Sequence, residues 1–197
     1  YGSERAGLAE LRIRFADGHE QVFGTDSSWT AGPSEITADD LYDGQDIDAR
    51  LRDDAWLRPG FGSAAWTGTR IVDADFAELE PYIGPPVRRV TELAPLDVFA
   101  SPGGRVLVDF GQNLVGWVRT TVTGARGAVL TLRHAEVLEH GELGVRPLRT
   151  AKATDRLTLS GGADVFEPTL TFHGFRYVEV DGWPGGIDAL RADGGLA

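Results

Sequence analysis

Apolar and polar residues alternate over many short stretches of the chain, a pattern that predicts β-strands. In the first stretch, residues 11–15, leucine, isoleucine and phenylalanine alternate with two arginines. The pair Asp17 and Gly18 that follows is typical of a tight turn, and we expect residues 21–24 to form the return strand. The chain therefore opens with a predicted β-hairpin.

The region from residue 25 to residue 65 lacks this regularity. It contains an acidic segment and two tryptophans, Trp29 and Trp56, and a third, Trp66, follows directly. A loop region of this length in a compact domain is usually functional or held in place by its own packing. The strongest helix signal of the chain lies here, at residues 37–41, and it predicts no more than a short turn.

The second half of the chain is more regular. Predicted strands cover residues 106–110, 115–122, 128–137, 156–159 and 172–180, and the turns between them include one at residues 111–113. Many short strands with frequent turns indicate an all-β fold, a β-sandwich or jelly roll with one long irregular loop region. We expect one jelly-roll module over residues 1–185 and a peripheral, glycine-rich tail over residues 186–197.

Charge and composition narrow the range of ligands. Acidic residues outnumber basic ones by 30 to 19, and the formal net charge is −11. This charge argues against nucleic acid, whose phosphates attract basic surfaces, and against an anionic membrane surface. The absence of cysteine excludes thiolate metal sites and disulfides, and the apolar runs are too short to cross a bilayer. A cation or a neutral molecule such as a sugar is therefore the class of ligand that the composition allows.

The first residues, YGSERAG, carry no signal-peptide pattern, and the chain contains no methionine. We therefore expect the chain to be a segment of a longer polypeptide.

Four sequence blocks carry a family resemblance. They are DFGQNLVGWVR at residues 109–119, LRHAEVL at 132–138, LRTAKATD at 148–155 and HGFRYVEV at 173–180. In this order and spacing they resemble the β-sandwich region upstream of the catalytic barrel in bacterial α-L-rhamnosidases. The stretch YDG at residues 42–44, with DAR at 48–50, is similar to the preceding part of the same region.

The resemblance implies a function for the chain. In that family an (α/α)6 barrel cleaves the glycosidic bond with inversion, which requires a carboxylic acid and a carboxylate base. No part of this sequence is typical of a helical barrel, so we expect a non-catalytic module without catalytic residues. The resemblance implies a carbohydrate-binding module for terminal L-rhamnose or a rhamnosylated glycan, with the catalytic domain of the same polypeptide as its partner. The alternative is a structural spacer that packs on the catalytic barrel and binds no sugar.

Some members of the family carry a calcium-dependent, rhamnose-binding jelly roll, and the acidic segment at residues 39–50 contains carboxylates that suit calcium. We predict Asp43, Asp46 and Asp48 as calcium ligands, although the spacing is not that of an EF-hand. The family's rhamnose-binding examples use an Asp-Asn pair, whereas this chain has Asp43 followed by Gly44. The alternative is that these aspartates cap turns and pair with neighbouring arginines.

Aromatic rings stack on the apolar faces of sugars. We therefore predict a sugar site at the rim of the sandwich, and its candidate residues are Asp26, Tyr42, Asp43, Asp48 and Trp66. For each tryptophan of the irregular region, packing is the alternative to sugar contact, and for Asp26 the alternative is a turn cap. Trp117 lies within a predicted strand, and we expect it in the core.

The sequence gives little support for a zinc site, a catalytic serine nucleophile or a dinucleotide-binding site. We expect His134 and His173 to be structural, because a zinc site requires three or four ligands with suitable geometry. The G-x-S-x-G nucleophile motif is absent, and the glycines near Phe61 do not form a dinucleotide-binding motif.

Overall fold

A computed structural model describes residues 5–62, 65–73, 77, 79–193 and 196. Within this part of the chain the strands and the α-helix are β1 (Glu10–Arg14), β2 (Glu20–Gly24), β3 (Thr30–Ala31), β4 (Ile36–Asp40), β5 (Gly44–Asp48), β6 (Thr67–Gly68), β7 (Asp97–Ala100), β8 (Val106–Gly116), β9 (Thr120–Thr123), β10 (Val129–Ala135), β11 (Leu138–Glu139), β12 (Glu142–Leu143), β13 (Thr154–Thr158), β14 (Ala163–Phe166), β15 (His173–Asp181) and α1 (Gly186–Asp193). Short 3-10 helices lie at Ala49–Leu51, Asp54–Leu57 and Arg146–Leu148.

The chain divides into two compact units. Unit 1 contains residues 1–33 and 56–87, and unit 2 contains residues 34–55 and 88–197. The sequence predicts one module over residues 1–185. The structure instead separates the N-terminal hairpin and part of the irregular region from the large sheet.

Unit 1 contains two small antiparallel pairs, β1 with β2 and β3 with β6. The predicted hairpin is confirmed: Leu11 lies opposite Phe23, and the Gly18 N–H donates to the carbonyl of Phe15 at the turn. Gly18 has φ 90°, a backbone conformation that glycine adopts without steric cost. The alternating pattern of residues 11–15 thus folds locally as the sequence predicts.

Unit 2 is built on one seven-stranded mixed sheet with the order β4-β5-β13-β10-β15-β8-β7. Neighbouring strands run antiparallel, except that β5 and β13 are parallel. A second pair, β9 with β14, contributes to the same core. The buried apolar cluster contains Val108, Phe110, Val118, Val122, Leu130, Leu132, Leu157, Leu159, Phe166, Phe175, Val178, Val180, Trp183, Leu190 and Leu196. The predicted all-β sandwich is confirmed.

The predicted turn at residues 111–113 is wrong, because these residues lie within β8. Leu114 pairs with Phe175 and Asp109 pairs with Tyr177, so four residues of β8 face only Arg176 of β15. Such an irregularity, with Gly111 at φ 79°, bends the strand without ending it. Glycine next to polar residues therefore marks a bulge here instead of a chain reversal.

Two local predictions differ from the structure. Residues 37–41, predicted as at most a helical turn, lie largely in strand β4, where pairing with β5 overrides a weak local preference. Residues 186–193 of the expected peripheral tail form helix α1, and Leu190 and Leu196 are buried in the core of unit 2. No helix among the described residues is long and apolar enough to span a membrane.

Candidate functional site

The acidic strand β5 presents its carboxylates on the side away from the core. Gln45 is buried and Ile47 packs against the core, so Asp46 and Asp48 point to the other face by the alternation of a strand. The Asp48 carboxylate accepts two hydrogen bonds from the Arg50 guanidinium, at 2.8 and 2.7 Å. Asp48 also accepts the Arg50 backbone N–H at 3.0 Å, which caps the following 3-10 helix. Hydrogen bonding by Arg50 lowers the pKa of Asp48.

Asp43 and Asp46 are also engaged by basic residues. Asp43 forms an ion pair with the Lys152 ammonium and accepts the Lys152 backbone N–H at 3.2 Å. The hydrogen bond from the Lys152 side chain is the main reason why the pKa of Asp43 is lowered. Asp46 lies 3.3 Å from Arg156. In the part of the chain that the structure describes, these aspartates belong to no group of three clustered metal-ligand side chains.

The predicted sugar-binding residues are divided between the two units. Tyr42, which is 60% exposed, lies in unit 2 with Asp43 and Asp48. Asp26 and Trp66 lie in unit 1. The Asp26 carboxylate accepts hydrogen bonds from the backbone and side chain of Ser28, which lower its pKa and fit its alternative role as a turn cap.

Trp66 is half-buried, and its ring packs edge-on against Phe61 at 5.1 Å between ring centroids. The ring also lies close over Gly32. These contacts fit loop packing, and the assignment of Trp66 to sugar binding stays a prediction.

Unit 2 contains a groove that the sequence did not predict. Its volume is about 220 Å³, and its walls come from strand β8, the segment of residues 88–93 and the chain near residue 167. The lining combines aromatic, apolar and polar side chains, among them Phe110, Gln112, Leu114, Trp117, Arg119 and Glu167. Sugar sites in proteins typically combine an aromatic surface with a few placed polar groups.

The position of Trp117 in the structure differs from the position predicted from the sequence. The sequence predicts it in the core, but it is half-buried in the groove wall while its neighbour Val118 is fully buried. The Trp117 indole N–H donates to Glu167 at 3.0 Å, and Glu167 lies 3.3 Å from Arg89. A second ion pair joins Arg119 to Glu92 at 2.8 Å. The structure, and not the sequence, places Trp117 on the outward face of the chain next to the inward Val118.

A polar cluster lies inside unit 2, on the core-facing side of the large sheet. His134 of β10 and Asp155 of β13 are fully buried, and His173 of β15 is nearly so. The two imidazole rings stack at 4.4 Å between centroids. His173 Nε2 lies 3.2 Å from both Asp155 oxygens, and His134 Nε2 lies 3.9 Å from Asp155 Oδ2.

The surrounding backbone determines the proton positions in this cluster. His134 Nδ1 lies 2.9 Å from the carbonyl oxygen of Ala153, which can only accept, so Nδ1 carries the proton. Burial, with the nearby His173, lowers the pKa of His134 to about 4, and the ring is neutral. Asp155 Oδ1 accepts the Gln45 backbone N–H at 2.9 Å. Asp155 occupies an inward strand position two residues before Leu157, where an apolar residue is more usual.

Two protein families match the sequence. Residues 1–91 match the α-L-rhamnosidase N-terminal domain, and residues 100–194 match the bacterial α-L-rhamnosidase concanavalin-like domain. Two α-L-rhamnosidases align with nearly the whole chain. That of Streptomyces avermitilis is 42% identical over 94% of the chain, and that of an Alteromonas species is 36% identical over 89%.

Solved structures show the same relationship. The native α-L-rhamnosidase of Aspergillus terreus has a TM-score of 0.86 and 46% identity, and it covers 90% of the chain. The Streptomyces avermitilis enzyme, solved in complex with L-rhamnose, has a TM-score of 0.84 and 42% identity over 90% of the chain. The chain spans 18% to 21% of the length of these proteins. The chain thus consists of two domains of the bacterial α-L-rhamnosidase family, the N-terminal domain and the concanavalin-like domain.

Proposed function

We propose that this chain is the non-catalytic, carbohydrate-binding part of an α-L-rhamnosidase and that it holds terminal L-rhamnose. The catalytic domain of the same polypeptide cleaves the glycosidic bond. The small share of each relative that the chain covers supports this division of labour. Among the described residues α1 is the only α-helix, so they contain no helical barrel.

The groove along β8 is the observation that carries the proposal. Trp117 offers a flat apolar surface, and Gln112 and Arg119 offer hydrogen-bond donors for sugar hydroxyls. The ion pairs of Glu167 with Arg89 and of Glu92 with Arg119 hold the polar side chains in place before a ligand arrives. A site organised in advance loses less side-chain entropy on binding.

Calcium at Asp43, Asp46 and Asp48 stays a prediction. Calcium takes six to eight oxygen ligands, and each of these carboxylates now has a lysine or arginine partner. A bound cation must displace these partners. The net charge of −11 favours the approach of a cation to this surface, but the local pairs offset that advantage.

Calorimetric titration of the chain with L-rhamnose, with calcium and with EDTA, tests the proposal. We expect binding in the wild-type chain, and Trp117→Ala to weaken it about tenfold, because a lost aromatic contact of about 1.4 kcal/mol corresponds to that factor. Trp66→Ala tests the site predicted from the sequence. Trp56→Ala, which removes a tryptophan that is 53% exposed, is the control. Wild-type binding that Trp117→Ala leaves unchanged contradicts the groove assignment.

A second candidate function is that of a spacer that packs on the catalytic domain. Its support is the apolar surface of unit 2, where Val90 is 91% exposed, Val115 is 76% exposed, and both line the groove. Exposed apolar patches on a soluble protein often mark interaction surfaces. Under this function the titration with rhamnose gives no heat, and the separately produced catalytic domain binds the wild-type chain but not a Val115→Lys variant.

A further inference from the structure

The buried cluster of His134, Asp155 and His173 contains an electrostatic conflict. His134 Nδ1 keeps its proton for the Ala153 carbonyl, so His134 Nε2 presents a lone pair. This nitrogen is fully buried and has no hydrogen-bond partner among the described residues. It faces Asp155 Oδ2 at 3.9 Å, and this oxygen also presents lone pairs. A buried acceptor without a donor is costly, and here two acceptors face each other.

We propose that His134 Nε2, the Asp155 carboxylate and His173 Nε2 bind one divalent transition-metal ion of the zinc type. These three ligand atoms lie within 4.8 Å of one another, and no other described group of three or more such side chains does. The site lies wholly inside unit 2 and is separate from the groove.

The spacing of the ligand atoms fits such an ion. Two ligands of a tetrahedral zinc at its usual bond lengths are about 3.3 Å apart. The distance from His173 Nε2 to Asp155 is 3.2 Å, and that from His134 Nε2 to Asp155 is 3.9 Å. The distance from His134 Nε2 to Asp155 is therefore about half an ångström longer than this spacing.

The groups around the ligands also match those of metal centres. A metal-binding histidine usually donates its other ring N–H to a carbonyl or carboxylate, and ligand carboxylates are hydrogen-bonded in turn. His134 Nδ1 meets the Ala153 carbonyl, and Asp155 Oδ1 accepts the Gln45 N–H.

Metal binding requires one change of protonation. In the metal-free chain His173 Nε2 donates its hydrogen to Asp155. When the ion binds, this hydrogen moves from Nε2 to Nδ1, so the ring stays neutral and Nε2 presents its lone pair to the ion. The carboxylate and two neutral imidazoles then leave a net charge of about +1 on the bound ion and its three ligands.

Burial determines how the ion enters and leaves. His134 and Asp155 are inaccessible to solvent, and His173 is 4% exposed. The ion therefore binds as the chain folds, and a chelator does not remove it from the folded chain. Unfolding in guanidinium chloride with EDTA releases it, and refolding with or without zinc gives two preparations for comparison.

The experiment measures metal content and thermal unfolding of the 197-residue chain refolded in these two ways. We expect about one zinc per chain after refolding with zinc, and a higher unfolding temperature than in the metal-free preparation. His134→Gln must lose the zinc, whereas His140→Gln, which changes an exposed histidine, must keep it. A wild-type chain refolded with cobalt shows visible absorption from the bound ion that the metal-free chain lacks, so the test stands even when His134→Gln fails to fold.

Two results overturn the proposal. One is a wild-type chain that refolds with zinc but contains less than about a tenth of an equivalent and has an unchanged unfolding temperature. The other is a crystal of the zinc-refolded chain whose anomalous signal lies elsewhere, with a water molecule between His134 and Asp155.

Discussion

Gly44 begins β5 at the point where this strand meets β13, and replacing it by alanine tests how closely the two strands approach. Gly44 has φ 113°, a conformation that side-chain-bearing residues rarely adopt. An added Cβ lies closer than 3.0 Å to the carbonyl oxygen of Thr154 and to Asp155 Oδ1. The Thr154 oxygen is a backbone atom, so it cannot move without disturbing the parallel pairing of β5 with β13.

Two costs determine the loss of stability in Gly44→Ala. Holding alanine in this backbone conformation costs about 1–3 kcal/mol. Forcing a methyl group into packed space costs about 1–3 kcal/mol more. The expected loss is about 2–6 kcal/mol, a large part of the roughly 5–15 kcal/mol that stabilises a typical domain. With a urea dependence of about 2 kcal/mol per molar, the unfolding midpoint falls by about 1–3 M.

Urea unfolding followed by tryptophan fluorescence measures this loss, and Gly104→Ala is the matched control. Gly104 also lies in unit 2 and has φ 80°, but a Cβ there has no neighbour within 4 Å. Gly104→Ala therefore loses stability only through the strained backbone conformation, without a steric clash of the added methyl group. Equal midpoints for the two variants would refute the reasoning, because they would show that the contact with β13 costs nothing.

Three further predictions concern single side chains of unit 2. Hydrogen bonds from Arg176 lower the pKa of Asp109, so this pair stabilises the fold above the unfolded pKa of about 4 and loses its effect as the pH falls through the lower folded value. Asp109→Asn should flatten the dependence of urea stability on pH in that acidic range, and an unchanged profile contradicts the assignment. Phe166→Ala removes a fully buried ring and should cost about 3–5 kcal/mol in urea unfolding, whereas Phe172→Ala, half-exposed, should cost far less. Asp43→Ala breaks an exposed ion pair, so it should change stability by less than about 1 kcal/mol while removing any calcium-dependent heat in the titration.

Strand positions could be predicted from the sequence where one face of a strand is apolar. In β10, Leu130 and Leu132 are buried, and Thr131 between them is half-exposed. The alternation is a property of a few consecutive residues, so it is visible without the fold. Short strands such as β4 carry a weaker pattern, and pairing with a neighbour determines their state.

In the acidic segment, one ion pair could be predicted from the sequence and another could be found only in the folded structure. The pairing of Asp48 with Arg50 is local, and the sequence predicted it as one alternative. The pairing of Asp43 with Lys152 joins residues 109 positions apart, and only the folded chain reveals it. A carboxylate cluster in the sequence therefore did not establish how its members are neutralised.

The sequence by itself determined the all-β class, the N-terminal hairpin and, through its four blocks, the family. Only the tertiary structure shows that His134, Asp155 and His173 come together on the core-facing side of the sheet and that Trp117 lines a groove. Strand alternation reports only which face a residue occupies, whereas the order β13-β10-β15 decides which residues become neighbours on that face. That order results from burying the whole core at once, and no short stretch of the chain encodes it.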